Sequence, residues 1–352
     1  MFDFLDTARA LLRADLVNDS RESFERVFRS ISALQRVHSK SQLDMNNIEA
    51  VFSAFEMAQI IGSLPEHAPS DIDALVPAMR VLIARTIEET LQFQRSIDYR
   101  DPPQPYSHFG DLLVFLQNQA SPNEDSCVIT FNYDLAADFA LLRHGIPITY
   151  ALDEISPGDY PVLKLHGSLN WFLCNTCGKI IPWNLASFAT NLTRDEMVSK
   201  DYIPLRLSAR LHEWDHLQQQ GVHDVVRQPV LVPPTWNKAE YQKLLSSVWR
   251  RAARELQTAE NIYVIGFSLP PTDEFFRHLY SLGTVGDTIL QRFWVVDPDP
   301  AGTVEQRFRC LLGPGAEQRF SFFKETFGAA VTRIRGLYKT RWRAPEKLDH
   351  LI

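Results

Sequence analysis

The chain has 352 residues, 45% of them hydrophobic and 22% charged, with 36 Lys plus Arg against 43 Asp plus Glu for a net charge of −7. That length allows two or three domains, or one large α/β domain with insertions, and a core that needs no staples. Collagen, coiled coil and disorder are excluded as the main state. The acidic balance argues against a surface built to neutralise phosphate backbones, so nucleic acid is not expected as a partner.

Residues 1–120 read as a helical subregion. The opening Met1-Phe2-Asp3-Phe4-Leu5-Asp6 carries Asp where a signal peptide carries Lys or Arg, and no apolar run approaches the roughly 20 residues of a membrane span. The expected location is the cytoplasm, with no membrane contact. Phe24, Val27, Phe28, Ile31 and Leu34 recur at helical spacing, as do Ile48, Val51, Phe52 and Phe55 after Asn46 or Asn47 as N-cap. Asp71 opens a helix expected to run to about Ile97, with Pro77 tolerable only in its early turns. Asp101-Pro102-Pro103-Gln104-Pro105 breaks it, a short helix follows at Asp111–Gln119, and no strand is expected before residue 120.

Residues 121–345 have a different texture. Cys127-Val128-Ile129-Thr130-Phe131 reads as a buried strand, Leu135–Leu142 as a helix, and Ile146–Tyr150 and Val162–Gly167 as further strands. Asn261–Gly266 and Arg292–Asp297 are continuously apolar strands flanking a helix at Asp273–Leu282, the order of a β-α-β unit in a parallel sheet. The fold class expected is α/β: a Rossmann-like parallel sheet with a helical N-terminal subregion, a small inserted module at about 174–228 and a tail at 346–352. Parallel sheets bind ligands beyond the carboxyl ends of their strands. There this chain carries Asn132-Tyr133-Asp134, His166-Gly167-Ser168, Gly266-Phe267-Ser268 and Asp297. Together they suit a nucleotide-sized site.

At these residues the chain resembles the sirtuin-like family, in particular its bacterial NAD-consuming branch. Thr130-Phe131-Asn132-Tyr133-Asp134 is similar to the T-x-N-x-D loop of that family, and Leu165-His166-Gly167-Ser168 to its L-H-G motif. Leu169-Asn170-Trp171 and Cys174-x-x-Cys177 resemble the entry to its inserted module. Ile265–Ser268 resembles the later G-x-S strand end, and Val232-Pro233-Pro234-Thr235-Trp236 is similar to a stretch of the bacterial branch. The likeness spans about Cys127 to Asp297.

The resemblance implies hydrolysis of NAD, the substrate, to nicotinamide and ADP-ribose, in bacterial defence against phage. It implies a homo-oligomer, or a defence partner such as a hexameric ATPase or an argonaute-type protein. Breaking the nicotinamide–ribose bond passes through an oxocarbenium-like state, as glycoside cleavage does. His166 would act as general base and Asn132 would hold a ribose hydroxyl or the attacking water. Asp134 would bond the nicotinamide side or orient the loop, and Thr130 and Gly167 would be further cofactor-binding residues. Gly266 and Ser268 would face the phosphates, and Asp297 would accept the adenosine ribose hydroxyls. The family's G-A-G-x-S phosphate loop has no counterpart here, since Gly62 is the first glycine. Met1–Leu5 reads like the helix that follows such a loop, so a strand and glycine loop are expected upstream of Met1.

Cys174 and Cys177 are the candidate zinc ligands, and His212 and His216 at i, i+4 would complete a four-ligand set. Cys127 and Cys310, in apolar contexts, are expected to be buried thiols. Each site residue also has a plainer role. Asn132 and Asp134 suit helix capping, Ser268 and Thr272 suit a turn, and Asp297 before Pro298 suits a strand end. A non-catalytic NAD or ADP-ribose module, a scaffold and an NAD-dependent protein deacylase stand as alternatives. The tail from Arg333 to Lys347 alternates basic and apolar residues, as a solvated strand or helix face does.

Overall fold

The computed structural model describes residues 4–36, 43–96, 99–119, 125–152, 158–190, 192, 203–208, 210, 225–232, 243–271 and 274–343. In chain order the elements are α1 (Phe4–Arg13), α2 (Arg21–Arg36), α3 (Ile48–Ile61), α4 (Pro69–Ile72), α5 (Leu75–Thr90), β1 (Gln92–Ser96), β2 (Tyr99–Asp101) and α6 (Tyr106–Gln119). Then come β3 (Val128–Thr130), α7 (Ala136–Leu142), β4 (Ile148–Thr149), β5 (Tyr160–Lys164), β6 (Gly167–Cys174), β7 (Ile180–Pro182), α8 (Leu185–Thr190), β8 (Ile203–Pro204) and β9 (Val225–Leu231). The chain ends through α9 (Ser246–Thr258), β10 (Asn261–Ile265), α10 (Glu274–Gly283), β11 (Arg292–Val296), α11 (Val304–Leu311), α12 (Pro314–Glu317), β12 (Phe320–Phe323) and α13 (Phe327–Arg343). The class is α/β, with parallel strands in two of the sheets.

The chain forms two compact units that alternate along the sequence. The first takes Met1–Asp101, Thr130–Ala136 and Lys164–Ser246, and the second takes Pro102–Ile129, Ala137–Leu163 and Ser247–Ile352.

In the first unit, α2 buries Phe24, Val27 and Ile31 on one face, the stripe its spacing predicts. Asn47 caps α3: its side-chain oxygen accepts the Glu49 N–H at 2.9 Å. Gly62 ends that helix in the left-handed conformation at φ 64°, where a glycine carries no Cβ penalty. The long helix expected from Asp71 to Ile97 is instead three elements. α4 stops at Ile72, α5 runs from Leu75 with Pro77 in its first turn, and the chain leaves it at Leu91 to form the β1–β2 hairpin. That hairpin corrects the expectation of no strand before residue 120. Its sequence is mostly polar, with Phe93 fully buried, so no apolar run marks it.

A buried ionic network ties α5 to the segment after β8. Arg85 donates from Nη1 to Glu88 at 2.5 Å and to Ser208 Oγ at 3.1 Å, and from Nη2 to Asp19 and Glu89 at 3.2 Å each. Ser208 gives Glu88 its backbone N–H at 3.0 Å and its hydroxyl at 2.7 Å. Burial lifts the Glu88 carboxyl above its ordinary range, against the pull of Arg85 and Ser208. Removing Arg85 takes its guanidinium away from the buried Glu88 and leaves Glu89 with Arg206. Arg85→Met is expected to cost about 3 kcal/mol in urea unfolding.

In the second unit, β10, β11 and β12 form a parallel sheet, with Asn261 to Ile265 opposite Arg292 to Val296 and Phe293 to Val296 opposite Phe320 to Phe323. The β10–α10–β11 unit is the β-α-β order expected of the two apolar strands; β12 is an added third strand. Fully buried Phe293 packs between the rings of Tyr280, Phe308 and Phe320. A second sheet has the order β3–β5–β4, with β4 and β5 parallel. Its cluster of Leu113, Leu141, Ile146, Tyr160 and Val162 is buried. The basic tail is helical: α13 buries Ile334, and the Tyr338 hydroxyl meets that of Tyr263 at 3.2 Å. Residues 344–352, with Lys347 and the expected tail at 346–352, lie outside the described residues.

Two cysteine expectations differ in outcome. Cys127, expected buried, is half-buried, and desolvation raises its thiol above the usual range. Cys310, expected buried, is exposed, because it lies on the solvent face of α11 while Val304 and Phe308 face inward.

Candidate functional site

The first unit brings Thr130, Asn132, Asp134, His166 and Gly167 together. The carboxyl end of β3 turns at once: the Thr130 hydroxyl accepts the Asn132 N–H at 3.1 Å. This leaves Asn132 exposed at the crest of the loop. Asp134 then caps α7, with Oδ1 accepting the Ala136 N–H at 2.9 Å. Its backbone carbonyl accepts from Nζ of the buried Lys164 at 2.5 Å. One oxygen of Asp134 therefore serves the plainer capping role.

The L-K-L-H-G stretch is not one strand. β5 stops at Lys164, and Gly167 begins β6, which runs antiparallel to β9. His166 occupies the corner between them, 8% exposed. The corner requires Gly167. Its φ is +87°, and a Cβ there would lie 2.0 Å from the Val230 carbonyl oxygen. The close approach of this glycine is thus to a neighbouring strand.

The imidazole of His166 is packed edge-on against the Phe131 ring, with centroids 4.9 Å apart at 68°, and tilted against Tyr133 at 6.3 Å and 32°. Hydrogen bonds join three segments around it. Leu165 N–H donates to the Thr130 carbonyl at 2.9 Å, Leu169 N–H to that of Tyr133 at 3.1 Å, and Val232 N–H to that of His166 at 2.8 Å. The Tyr133 hydroxyl donates to the Val232 carbonyl at 2.5 Å. Beyond the corner, the fully buried Ser168 donates to Asn170 Oδ1 at 2.7 Å, and Asn170 Nδ2 donates to the Trp183 carbonyl at 3.1 Å. Phe131, Tyr133, Lys164 and Val232 are parts of this cluster that their sequence context did not mark as such. The two aromatics occupy the variable positions of T-x-N-x-D, where only their size hints at a packing role. Pro233 to Trp236, the rest of the stretch similar to the bacterial branch, lie outside the described residues.

Gly266, Ser268 and Asp297 stand in the second unit, past the carboxyl ends of adjacent strands β10 and β11. Gly266 has φ +66° and donates its N–H to the Val296 carbonyl at 3.0 Å. The Ser268 carbonyl accepts from Arg307 Nη1 at 3.1 Å. Asp297 accepts the Asp299 N–H at 2.7 Å. Asp299, which no motif singles out, is the buried acid here. Its Oδ1 accepts the N–H groups of Thr303 at 2.9 Å and Val304 at 3.1 Å, at the start of α11. Burial pushes its carboxyl up, but the N–H donors of Val304, Thr303 and Glu305 outweigh that and hold it below the ordinary Asp value. A depressed folded-state value stabilises at neutral pH, and the stabilisation fades as pH falls below about 4. Asp299→Ala is therefore expected to melt at a lower temperature than wild type at pH 7, with the gap closing towards pH 2 in a thermal-melt series. Thr272 lies outside the described residues.

Cys174 ends β6 and Cys177 lies in the turn that leads to β7. The Cys174 N–H donates to the Lys179 carbonyl at 2.9 Å, and Gly178 N–H to the Cys174 carbonyl at 2.8 Å. Cys174 is buried and Cys177 exposed. Among the described residues no group of three or more His, Cys, Asp or Glu is arranged to hold a metal. A structural zinc needs four ligands, so the described residues do not make a zinc site; His212 and His216 lie outside them. No described helix is long and apolar enough to cross a membrane.

No protein-family model matches the chain, and no curated protein matches it. Solved structures with similarity to it include a Sir2 enzyme described for its mechanism and regulation, at 14% identity over 77% of this chain and 78% of that one, with a TM-score of 0.38. A complex of a Sir2 homologue with NAD is 17% identical over 78% of this chain and 76% of that one, with a TM-score of 0.35. A structure on sirtuin substrate affinity is 16% identical over 65% and 66%, with a TM-score of 0.33. Likeness at these levels is too low to transfer an activity.

Proposed function

We propose that the chain is a sirtuin-like NAD hydrolase, releasing nicotinamide and ADP-ribose. The observation that carries this reading is the union of the T-x-N-x-D loop and the His-Gly corner in one hydrogen-bonded cluster, with the exposed amide of Asn132 and the ring-packed imidazole of His166. In the proposed reaction the nicotinamide–ribose C–N bond breaks and its electron pair leaves with neutral nicotinamide. Water forms the new C–O bond at the anomeric carbon and its proton passes to His166. Asn132 orients the water or a ribose hydroxyl through its amide. Thr130, Asp134 and Gly167 shape the loop and corner. Bacterial antiphage defence, a cytoplasmic location, homo-oligomerisation and a partner such as a hexameric ATPase or an argonaute-type protein belong to the same proposal.

One observation favours a second reading, a module that binds NAD or ADP-ribose without turning it over: His166 is only 8% exposed. The two separate in one experiment. Asn132→Ala is expected to lower NAD turnover about 100-fold, followed by chromatography of nicotinamide and ADP-ribose, while calorimetry still registers NAD binding. Binding by wild type with no product would favour the second reading. Turnover that requires an acylated peptide would mark a deacylase.

A further inference from the structure

Within the proposed site, the phenol of Tyr133 supplies the side-chain link in a ring of hydrogen bonds around His166. The circuit runs from the Tyr133 hydroxyl to the Val232 carbonyl at 2.5 Å, from the Val232 N–H to the His166 carbonyl at 2.8 Å, and from the Leu169 N–H back to the Tyr133 carbonyl at 3.1 Å. The backbone links depend on strand and corner geometry alone. The phenolic link depends on one oxygen atom. The same residue sets its ring 6.3 Å from the imidazole, so it holds His166 both through the backbone and by packing.

We infer that Tyr133 is a positioning residue for His166: its hydroxyl, acting through Val232, fixes the corner that aims the imidazole. This rests on the hydrolase reading for its kinetic consequence, but not for its structural one. A side chain that must meet a reacting atom loses rate steeply when displaced, up to about 100-fold for 1 Å. Tyr133→Phe keeps the ring and deletes only the oxygen. It is therefore the variant that separates aiming from packing.

The test has two arms. In the first, amide hydrogen exchange is compared in wild type and Tyr133→Phe. The Val232 N–H is expected to exchange about tenfold faster in the variant, because one net hydrogen bond is lost from its segment. In the second, kcat and KM for NAD are measured on both, with melting temperatures as control. A kcat about tenfold lower is expected, with KM within about twofold and the melting temperature nearly unchanged. Unchanged exchange at Val232 overturns the inference whether or not the protein hydrolyses NAD. Unchanged kcat in an active wild type overturns it too, as does a kcat loss that merely follows a loss of folded protein. A wild type that does not hydrolyse NAD counts against the hydrolase reading, and leaves the exchange arm to decide the role of Tyr133.

Discussion

His166→Ala is expected to lower NAD hydrolysis by about 10²–10⁴-fold, the span that a general base contributes. The proposed reaction needs a group to receive the proton of the attacking water, and an imidazole suits that near neutral pH. Deleting a buried ring also leaves a cavity beside Phe131 and Tyr133, at a cost of about 2–4 kcal/mol. His166→Gln fills most of that space without offering an imidazole. The expected result is that both variants lose turnover alike, while His166→Gln melts closer to wild type. Turnover that recovers in His166→Gln along with stability would assign the histidine to packing.

Gly167→Ala is expected to unfold the β6–β9 sheet or destabilise it by about 4 kcal/mol or more in chemical denaturation. Two costs add. A residue with Cβ at φ +87° is strained by about 1–3 kcal/mol. The new Cβ would also stand 2.0 Å from the Val230 backbone oxygen, which no rotamer change relieves. A variant with wild-type stability would mean that β6 and β9 do not meet as described. Gly266→Ala makes a useful contrast. It shares the positive φ, at +66°, but no atom lies within 4 Å of the place a Cβ would take, so only the conformational strain applies.

The elements legible in the sequence are those in which one physical signal dominates. Ile262–Ile265 and Phe293–Val296 are continuously apolar runs, as strands of a parallel sheet are, and they stand where expected. The helical stripe of α2 and the Asn47 cap are equally plain. Shorter or mixed elements give no such signal. The β1–β2 hairpin carries polar residues around Phe93, and β12 has four residues without alternation. The His166 corner reads as a strand end, which it is for β5, but nothing local announces the second strand that starts at Gly167. A contact between Gly167 and a strand more than sixty residues downstream leaves no mark in local sequence. The same holds for Tyr133, whose hydroxyl meets Val232 across the chain, and for Arg85, whose partner Ser208 lies far beyond its helix. Chemistry-bearing motifs are legible as residues; the bonds that hold them are not.

The most direct test of the central claim is product analysis of NAD incubated with the purified chain in the absence of any acylated peptide. The hydrolase reading predicts nicotinamide and ADP-ribose in equal amounts, formed over many turnovers by wild type and lost in His166→Ala. NAD that is bound, as registered by calorimetry, yet recovered intact would contradict it.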